Sequence, residues 1–433
     1  MDFAHSPRAQ ALRLQLEAFM QRYLLPYNAA WHRSVQDGMY PPPFVEDLKA
    51  LAREEGLWNL FLPSLGSDQP GTRLCNLDYA PLAEIMGRLP WAAEVFNCSA
   101  PDTGNIELLQ RFATSAQRAR WLVPLLDGRI RSAFAMSEPD VASSDPTNLQ
   151  TSVRREGAQL VLNGRKWFIT GAAHPRCTLL IVMCRNADAA EGDADGAHHQ
   201  HSMLLVPLDS PGVQVLRNIA VVHHLAPEGH CEILLRDVRV PADHLLGGWE
   251  AWGEGFAMAQ ARLGPGRIHH CMRAIGQCEL ALALATERTL EREAFGKHLS
   301  DFSNVQDWIA ESRIEIDQAR LLVLHTAWLL DQGTCEAAQL RAQVAAIKVV
   351  AARLQTRVVD RAMQVFGAMG LSPDTPLAYF CTWGRALHLM DGPDEVHLRS
   401  VARHELAQAR KRLGANAAYF TTPEQLQALP RIR

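Results

Sequence analysis

The chain has 433 residues, 48% of them hydrophobic, and a formal net charge of −4. That length exceeds what a single core usually supports, so two or three domains are expected. Lys and Arg form no basic tract, which argues against a nucleic-acid partner, and no apolar run approaches the length of a membrane span.

The nine cysteines are scattered and include no CxxC pair. They read as buried thiols in a reducing compartment, not as a disulfide frame or a zinc site. The N-terminus is polar and lacks the apolar core of a signal peptide, so a cytoplasmic location is the default expectation.

Residues 1–125 read as helical. Leu12, Leu16, Phe19, Met20 and Tyr23 recur near the helical period. Val45, Leu48, Leu51 and Ala52 do so after Pro41-Pro42-Pro43, and Leu82, Ile85 and Met86 again. Such stripes are core faces. The segment 98–104 reads as a loop between helices.

Residues 126–245 change character. Short apolar runs at 132–136, 179–183, 203–206 and 233–235 are bounded by turn residues and read as strands. Two more strands, 150–155 and 159–170, are joined at Glu156-Gly157 as a hairpin. Together they predict a small β-barrel or sandwich. The stretch 186–201 is small, acidic and His-rich. His198, His199 and His201 there read as a solvated loop rather than a metal site, as do His223 and His224.

Residues 246–433 are helical again, with long Ala-rich stretches at 256–292, 303–332, 335–369 and 394–412. These predict a four-helix bundle. Gly264-Pro265-Gly266-Arg267 is expected to lead into a helix and is a weak phosphate-loop signal. The expected class is therefore α+β: a helical domain over 1–125, a β-domain over 126–245 and a C-terminal helical bundle over 246–433.

One stretch, 131–171, carries the chemistry. An apolar strand runs into a loop of small hydroxyls, Ser137 to Asp145, and the later strand ends in Trp167-Phe168-Ile169-Thr170-Gly171. Main-chain donors, hydroxyls and aromatics in this order suit a flat heteroaromatic cofactor.

Here the sequence resembles the acyl-CoA dehydrogenase family. The resemblance rests on Phe134-Ala135-Met136-Ser137-Glu138-Pro139, on Ser143-Ser144-Asp145, and on Asn163-Gly164-Arg165-Lys166-Trp167-Phe168-Ile169-Thr170. It is closest to the subgroup of family members ten and eleven, which share this loop and a later Asp-Gly-Pro-Asp-Glu-Val-His stretch. It covers nearly the whole chain.

The resemblance implies FAD and the α,β-dehydrogenation of an acyl-CoA thioester to a trans-2-enoyl-CoA, a fatty-acid oxidation step. A carboxylate takes the α-proton while hydride leaves for flavin N5. Asp391, before Gly392, aligns with the family's base, one methylene shorter than the commoner Glu. Glu395 is the runner-up.

Phe134, Met136, Ser137, Ser143, Trp167 and Phe168 are implied at the flavin, with Thr170 near N5. Pro393, Asp394 and Glu395 are implied there too. Ser143 or Ser144 contacts the CoA arm. Gly264 stands where relatives often have Asp, and Arg267 is retained near the base; with Gly392 they complete the implied substrate contacts. Arg292 and Phe295, with Gln306 beside them, match a segment that meets the flavin pyrophosphate. Gln364, Val365, Phe366, Gly367 and Gly370 match one that reaches the adenosine end from a neighbouring subunit. A homodimer or homotetramer follows, with electron-transfer flavoprotein as the implied acceptor. Two alternatives stay open: an oxidase of the same fold, as nitroalkane oxidase is, and a non-catalytic flavin- or acyl-CoA-binding protein.

Overall fold

The structure is a computed structural model and describes residues 4–188 and 199–423. His198 and most of the acidic stretch around it lie outside those residues. The N-terminal part folds as helices α1 (Pro7–Phe19), α2 (Asn28–Gln36), α3 (Phe44–Glu54), α4 (Asn76–Gly87), α5 (Ala92–Val95), α6 (Asp102–Phe112), α7 (Ser115–Gln117) and α8 (Val123–Leu126). Local chemistry explains the first of these. The Ser6 side chain accepts from the Ala9 N–H and Pro7 opens the helix, a favourable start on both counts. Its stripe then buries Leu16 and Phe19 and packs Leu12 and Tyr23 against the core. In α3 the acidic Glu46 and Asp47 lie in the first turn and Arg53 in the last, matching the helix dipole.

Strands follow: β1 (Arg131–Ala135), β2 (Ser152–Glu156), β3 (Gln159–Thr170), β4 (Cys177–Asn186), β5 (His201–Pro207), β6 (Val213–Asn218) and β7 (His230–Pro241). Among the described residues they form one curled seven-stranded sheet in the order β1-β4-β2-β3-β7-β6, with β5 paired to β4. The expected hairpin is β2–β3, but its two-residue loop is Gly157-Ala158 rather than Glu156-Gly157. Glu156 is held in register opposite Gln159, and Gly157 takes the positive φ of 62° that the turn needs.

Strand β4 explains how sheet and helices cohere. Its odd-numbered Leu179, Ile181 and Met183 join the helical core, whereas Leu180, Val182 and Cys184 join the core inside the sheet. Alternation puts successive side chains on opposite faces, so a strand buried on both must be apolar throughout.

The C-terminal part contains the long helices α9 (Gly255–Glu291), α10 (Ser303–Gln332), α11 (Ala337–Phe366) and α13 (Asp394–Lys411), with α12 (Leu377–Leu387) before the last. A two-residue hairpin, β8 (Glu293–Ala294) with β9 (Lys297–His298), separates α9 from α10. Helix α9 has 37 residues and spans roughly 55 Å. The stretch Gly264-Pro265-Gly266-Arg267 does not lead into this helix but lies inside it. Packing of α9 on α4, α10 and α11 outweighs the poor helix propensity of two glycines and a proline.

Helices α4 and α9 touch almost backbone to backbone. A Cβ on Gly276 would lie 1.9 Å from the Glu84 carbonyl oxygen, and one on Gly87 2.3 Å from that of Arg273. Gly276→Ala must push the helices apart, and overpacking of this kind costs about 1–3 kcal/mol. The urea midpoint of the variant should fall accordingly; an unchanged midpoint would mean that the helices separate without cost.

Candidate active site

A cleft of about 2620 Å³ runs between the sheet and the C-terminal helices. Ordinary small-molecule sites occupy about 300–1,000 Å³, so this one has room for two sizeable ligands. Its sheet side carries Phe134, Met136 and Ser137, the loop residues Ser143 and Ser144, and Trp167, Phe168 and Thr170 of β3. Its helical side carries Gly264, Arg267, Asp391, Gly392 and Pro393.

The loop after β1 is fixed from below by Lys166. Its ammonium is fully buried and donates to Met136 O (2.8 Å), Met183 O (2.7 Å) and Glu138 Oε1 (2.8 Å). Glu138 in turn accepts from the Gln150 and Thr151 N–H groups at 2.7 and 2.9 Å. Burial pushes the Glu138 carboxyl up, but Lys166 and these donors outweigh it and hold it below its ordinary value. Within the loop, Ser143 Oγ accepts from the Glu138 N–H at 2.9 Å. The Ser137 carbonyl accepts from Trp167 N–H at 3.0 Å, which ties the loop to β3. Phe168 has a positive φ of 51° and stays 42% exposed, its ring 5.0 Å from that of Trp167.

The Asp391-Gly392 turn is over-determined. Asp391 has φ 54° and Gly392 φ 100°. Arg267 donates to the Asp391 carbonyl from Nε (3.2 Å) and Nη2 (2.9 Å), and His397 Nε2 donates to the same oxygen at 3.1 Å. Lys348 donates to the Gly392 carbonyl at 2.7 Å and pairs with Asp394 at 3.4 Å. The Asp391 carboxylate lies 3.6 Å from His270 Nε2. Burial raises its pKa, but His270, Arg267, Arg262 and Lys348 together hold it below the ordinary aspartate value. Glu395, by contrast, is exposed in the first turn of α13 and does not line the cleft. Asp394 is buried and bonded to His388 Nδ1 at 2.6 Å.

Sequence patterns did not single out Arg262, His270, Lys348, His397 or His230, yet each bears on this cleft. Arg262 stacks over the Phe134 ring at 4.1 Å and donates to Asn105 Oδ1 at 3.0 Å. Arg262, Arg267 and His270 are spaced along one stretch of α9, a signal readable only once the helix is known to run through residue 264. His230 contacts Thr170, its cross-strand partner, at 3.0 Å. His230 and Trp383 belong to the cleft lining, and the buried His230 Nε2 has no partner among the described residues.

The remaining expected residues lie away from the cleft. Phe295, at the tip of the β8–β9 hairpin, is 98% exposed, and Arg292 beside it is exposed too. Gln306 donates to the Ser300 carbonyl at 2.9 Å. Gln364, Val365 and Phe366 end α11, Gly367 caps it with φ 62°, and Gly370 packs where a Cβ would meet Met363 O at 2.8 Å. None of these segments lines the cleft of its own chain.

Replacing Lys166 by Met leaves Glu138 buried without its cation, and breaking such a pair costs about 3–5 kcal/mol. Chemical denaturation should show this loss near neutral pH. Because the Glu138 pKa is lowered on folding, its stabilisation is present above the ordinary carboxylate pKa and is lost as the pH falls through its folded value, so the gap between parent and variant should narrow in acid.

The comparisons with known proteins agree along the chain. The family descriptions "Acyl-CoA dehydrogenase, N-terminal domain", "middle domain" and "C-terminal domain" match residues 6–129, 133–238 and 253–406. FadE2 of Mycobacterium tuberculosis, named as an acyl-CoA dehydrogenase, is 52% identical over 96% of this chain and 99% of its own length. Acyl-CoA dehydrogenase family member 10 of Mus musculus is 49% identical over 93% of this chain, which spans 37% of that protein. A solved acyl-CoA dehydrogenase structure from Mycobacterium abscessus superposes with a TM-score of 0.88 at 45% identity, covering 94% of this chain and 99% of the other. The chain thus belongs to the acyl-CoA dehydrogenase family of oxidoreductases.

Proposed function

We propose that the protein binds FAD in this cleft and dehydrogenates an acyl-CoA between its α- and β-carbons, with Asp391 as the base that takes the α-proton. The observation that carries this reading is a half-buried carboxylate on a rigid, positive-φ turn in the same cleft as Trp167, Phe168 and Thr170. The lining fits the cofactor: a half-exposed aromatic pair, and a loop whose main chain is fixed by Lys166. When bound, FAD supplies a hydride acceptor at N5.

The chain's own residues do the rest. Arg267, His397 and Lys348 hold the carbonyls of Asp391 and Gly392, so the backbone that carries the carboxylate is fixed in the cleft. The thioester oxygen accepts from the Asp391 main-chain N–H, where charge grows as the proton leaves. The surrounding cations keep Asp391 ionised, ready to accept. Arg292, Phe295, Gln306 and the segment 364–370 complete the FAD site of a neighbouring copy, which makes the functional protein a homodimer or homotetramer. Electron-transfer flavoprotein is the proposed acceptor. A reducing compartment such as the cytoplasm suits the chain: none of its cysteines is in a disulfide, and burial pushes the thiols of Cys98 and Cys177 up to about 11 and 12.

Anaerobic titration with acyl-CoAs of graded length, followed by flavin absorbance, tests the reading. Bleaching by one length class supports it; fast oxygen consumption with another substrate class points to the oxidase instead. Asp391→Asn should retain FAD and lose flavin reduction by at least the 10²–10⁴-fold that a general base contributes. Normal reduction in that variant sinks the assignment. Because the Asp391 pKa is lowered, the base stays charged across neutral pH, and its loss of activity should appear only below the ordinary aspartate range.

A further inference from the structure

Thr170 ends β3 and sits in register opposite His230, the first residue of β7. Its Oγ1 lies 3.0 Å from His230 Nδ1. The imidazole is 3% exposed, and its other nitrogen, Nε2, is buried without a partner among the described residues. The backbone fixes the ring's position: His230 N–H donates to Asn218 Oδ1 at 2.7 Å, and its carbonyl accepts from Ile219 N–H at 3.0 Å. The Trp383 ring lies edge-on at 5.4 Å. Burial, together with His224, lowers the pKa to about 4, so the ring is neutral at working pH.

A neutral imidazole has one N–H, and the two placements are not equal. With the proton on Nε2, a buried donor points at nothing. With it on Nδ1, the donor is used on Thr170 Oγ1 and only a lone pair is left bare at Nε2. Buried orphan N–H groups are rarer than under-used acceptors, so the second placement is favoured. It has a consequence for Thr170. An oxygen that accepts from His230 must turn its own O–H elsewhere, and Thr170 lines the cleft.

We propose that His230 is a positioning residue that commits the Thr170 hydroxyl to donate into the cleft, toward the N5 edge of a bound flavin. The inference rests on the FAD reading above. A fixed donor suits oxidised N5, which is an acceptor, and opposes the reduced N5–H, so His230 biases the cofactor toward its oxidised form. Without His230 the hydroxyl rotates freely and serves either state.

The test uses the full chain loaded with FAD. Nitrogen-15 NMR of labelled histidine reads the tautomer of His230 directly, assigned by its loss in His230→Phe. That variant keeps a ring beside Trp383 but has no donor. Its flavin midpoint potential should shift to more positive values. His230→Asn, whose amide can donate from near the place of Nδ1, should return most of the way to the parent. An Nε2–H tautomer, or a potential unmoved in His230→Phe, overturns the proposal; a purely structural role would lower thermal stability and leave the potential alone. The two readings separate cleanly. A potential that shifts as expected in a protein that no acyl-CoA bleaches costs only the acyl-CoA assignment. Bleaching with an unmoved potential costs only this inference, and a chain that takes up no FAD overturns both.

Discussion

One buried ammonium group holds the first four strands to the loop they serve. Lys166 spends its three N–H bonds on Met136, Met183 and Glu138. Through Glu138 it also reaches the start of β2. A buried charge is tolerated only when its donors are fully matched, and here three protons meet three acceptors. The loop that follows β1 therefore has one available shape. That shape sets Met136, Ser137 and Ser143 at the wall of the cleft.

The helical wall is built on a different principle. Side chains from three helices converge on one tight turn: Arg262, Arg267 and His270 from α9, Lys348 from α11 and His397 from α13. Arg267, Lys348 and His397 grip main-chain carbonyls, leaving the carboxylate itself only the nearby imidazole of His270. The turn is rigid while the reactive group stays uncommitted. Gly392 is forced at its place, because a Cβ there would lie 2.9 Å from His397 Nε2 and its φ is 100°.

Much of this was legible in the sequence where the signal is local. The stripe of α1, the apolar runs of β4 and β7 and the long Ala-rich helices follow from spacing, whereas the Asp391-Gly392 pair is singled out only through the family resemblance. What stayed hidden depends on distant parts of the chain meeting. Lys348 sits in an Ala-rich helix and looks like any solubilising lysine until α11 is packed beside residues 391–394. His230 acquires meaning only through its register with Thr170, sixty positions away. Gly264-Pro265-Gly266 misleads because two glycines and a proline locally forecast a break, and only the packing of neighbouring helices keeps α9 continuous. The hairpin loop was displaced by one residue for a similar reason, since the register of Glu156 with Gln159 is set by the strands and not by the turn.

That continuous helix is uneven along its length. Relative to alanine, glycine weakens a helix by about 1 kcal/mol and an interior proline by about 3, so the turn around residues 264–266 is the least self-supporting part of α9. Pro265 also has no N–H to offer the Ala261 carbonyl. Beyond the helix's own backbone and the adjoining residues, no described atom lies within 4 Å of where a Cβ on Gly264 or Gly266 would stand. Local opening of a fold begins where backbone bonds are fewest and packing is thinnest. Amide exchange along α9 should therefore be slow in the stretch around Gly276 clamped to α4 and fastest where the helix borders the cleft. The stretch of α9 that walls the cleft is thus the part of that helix with the most freedom to adjust to what enters it.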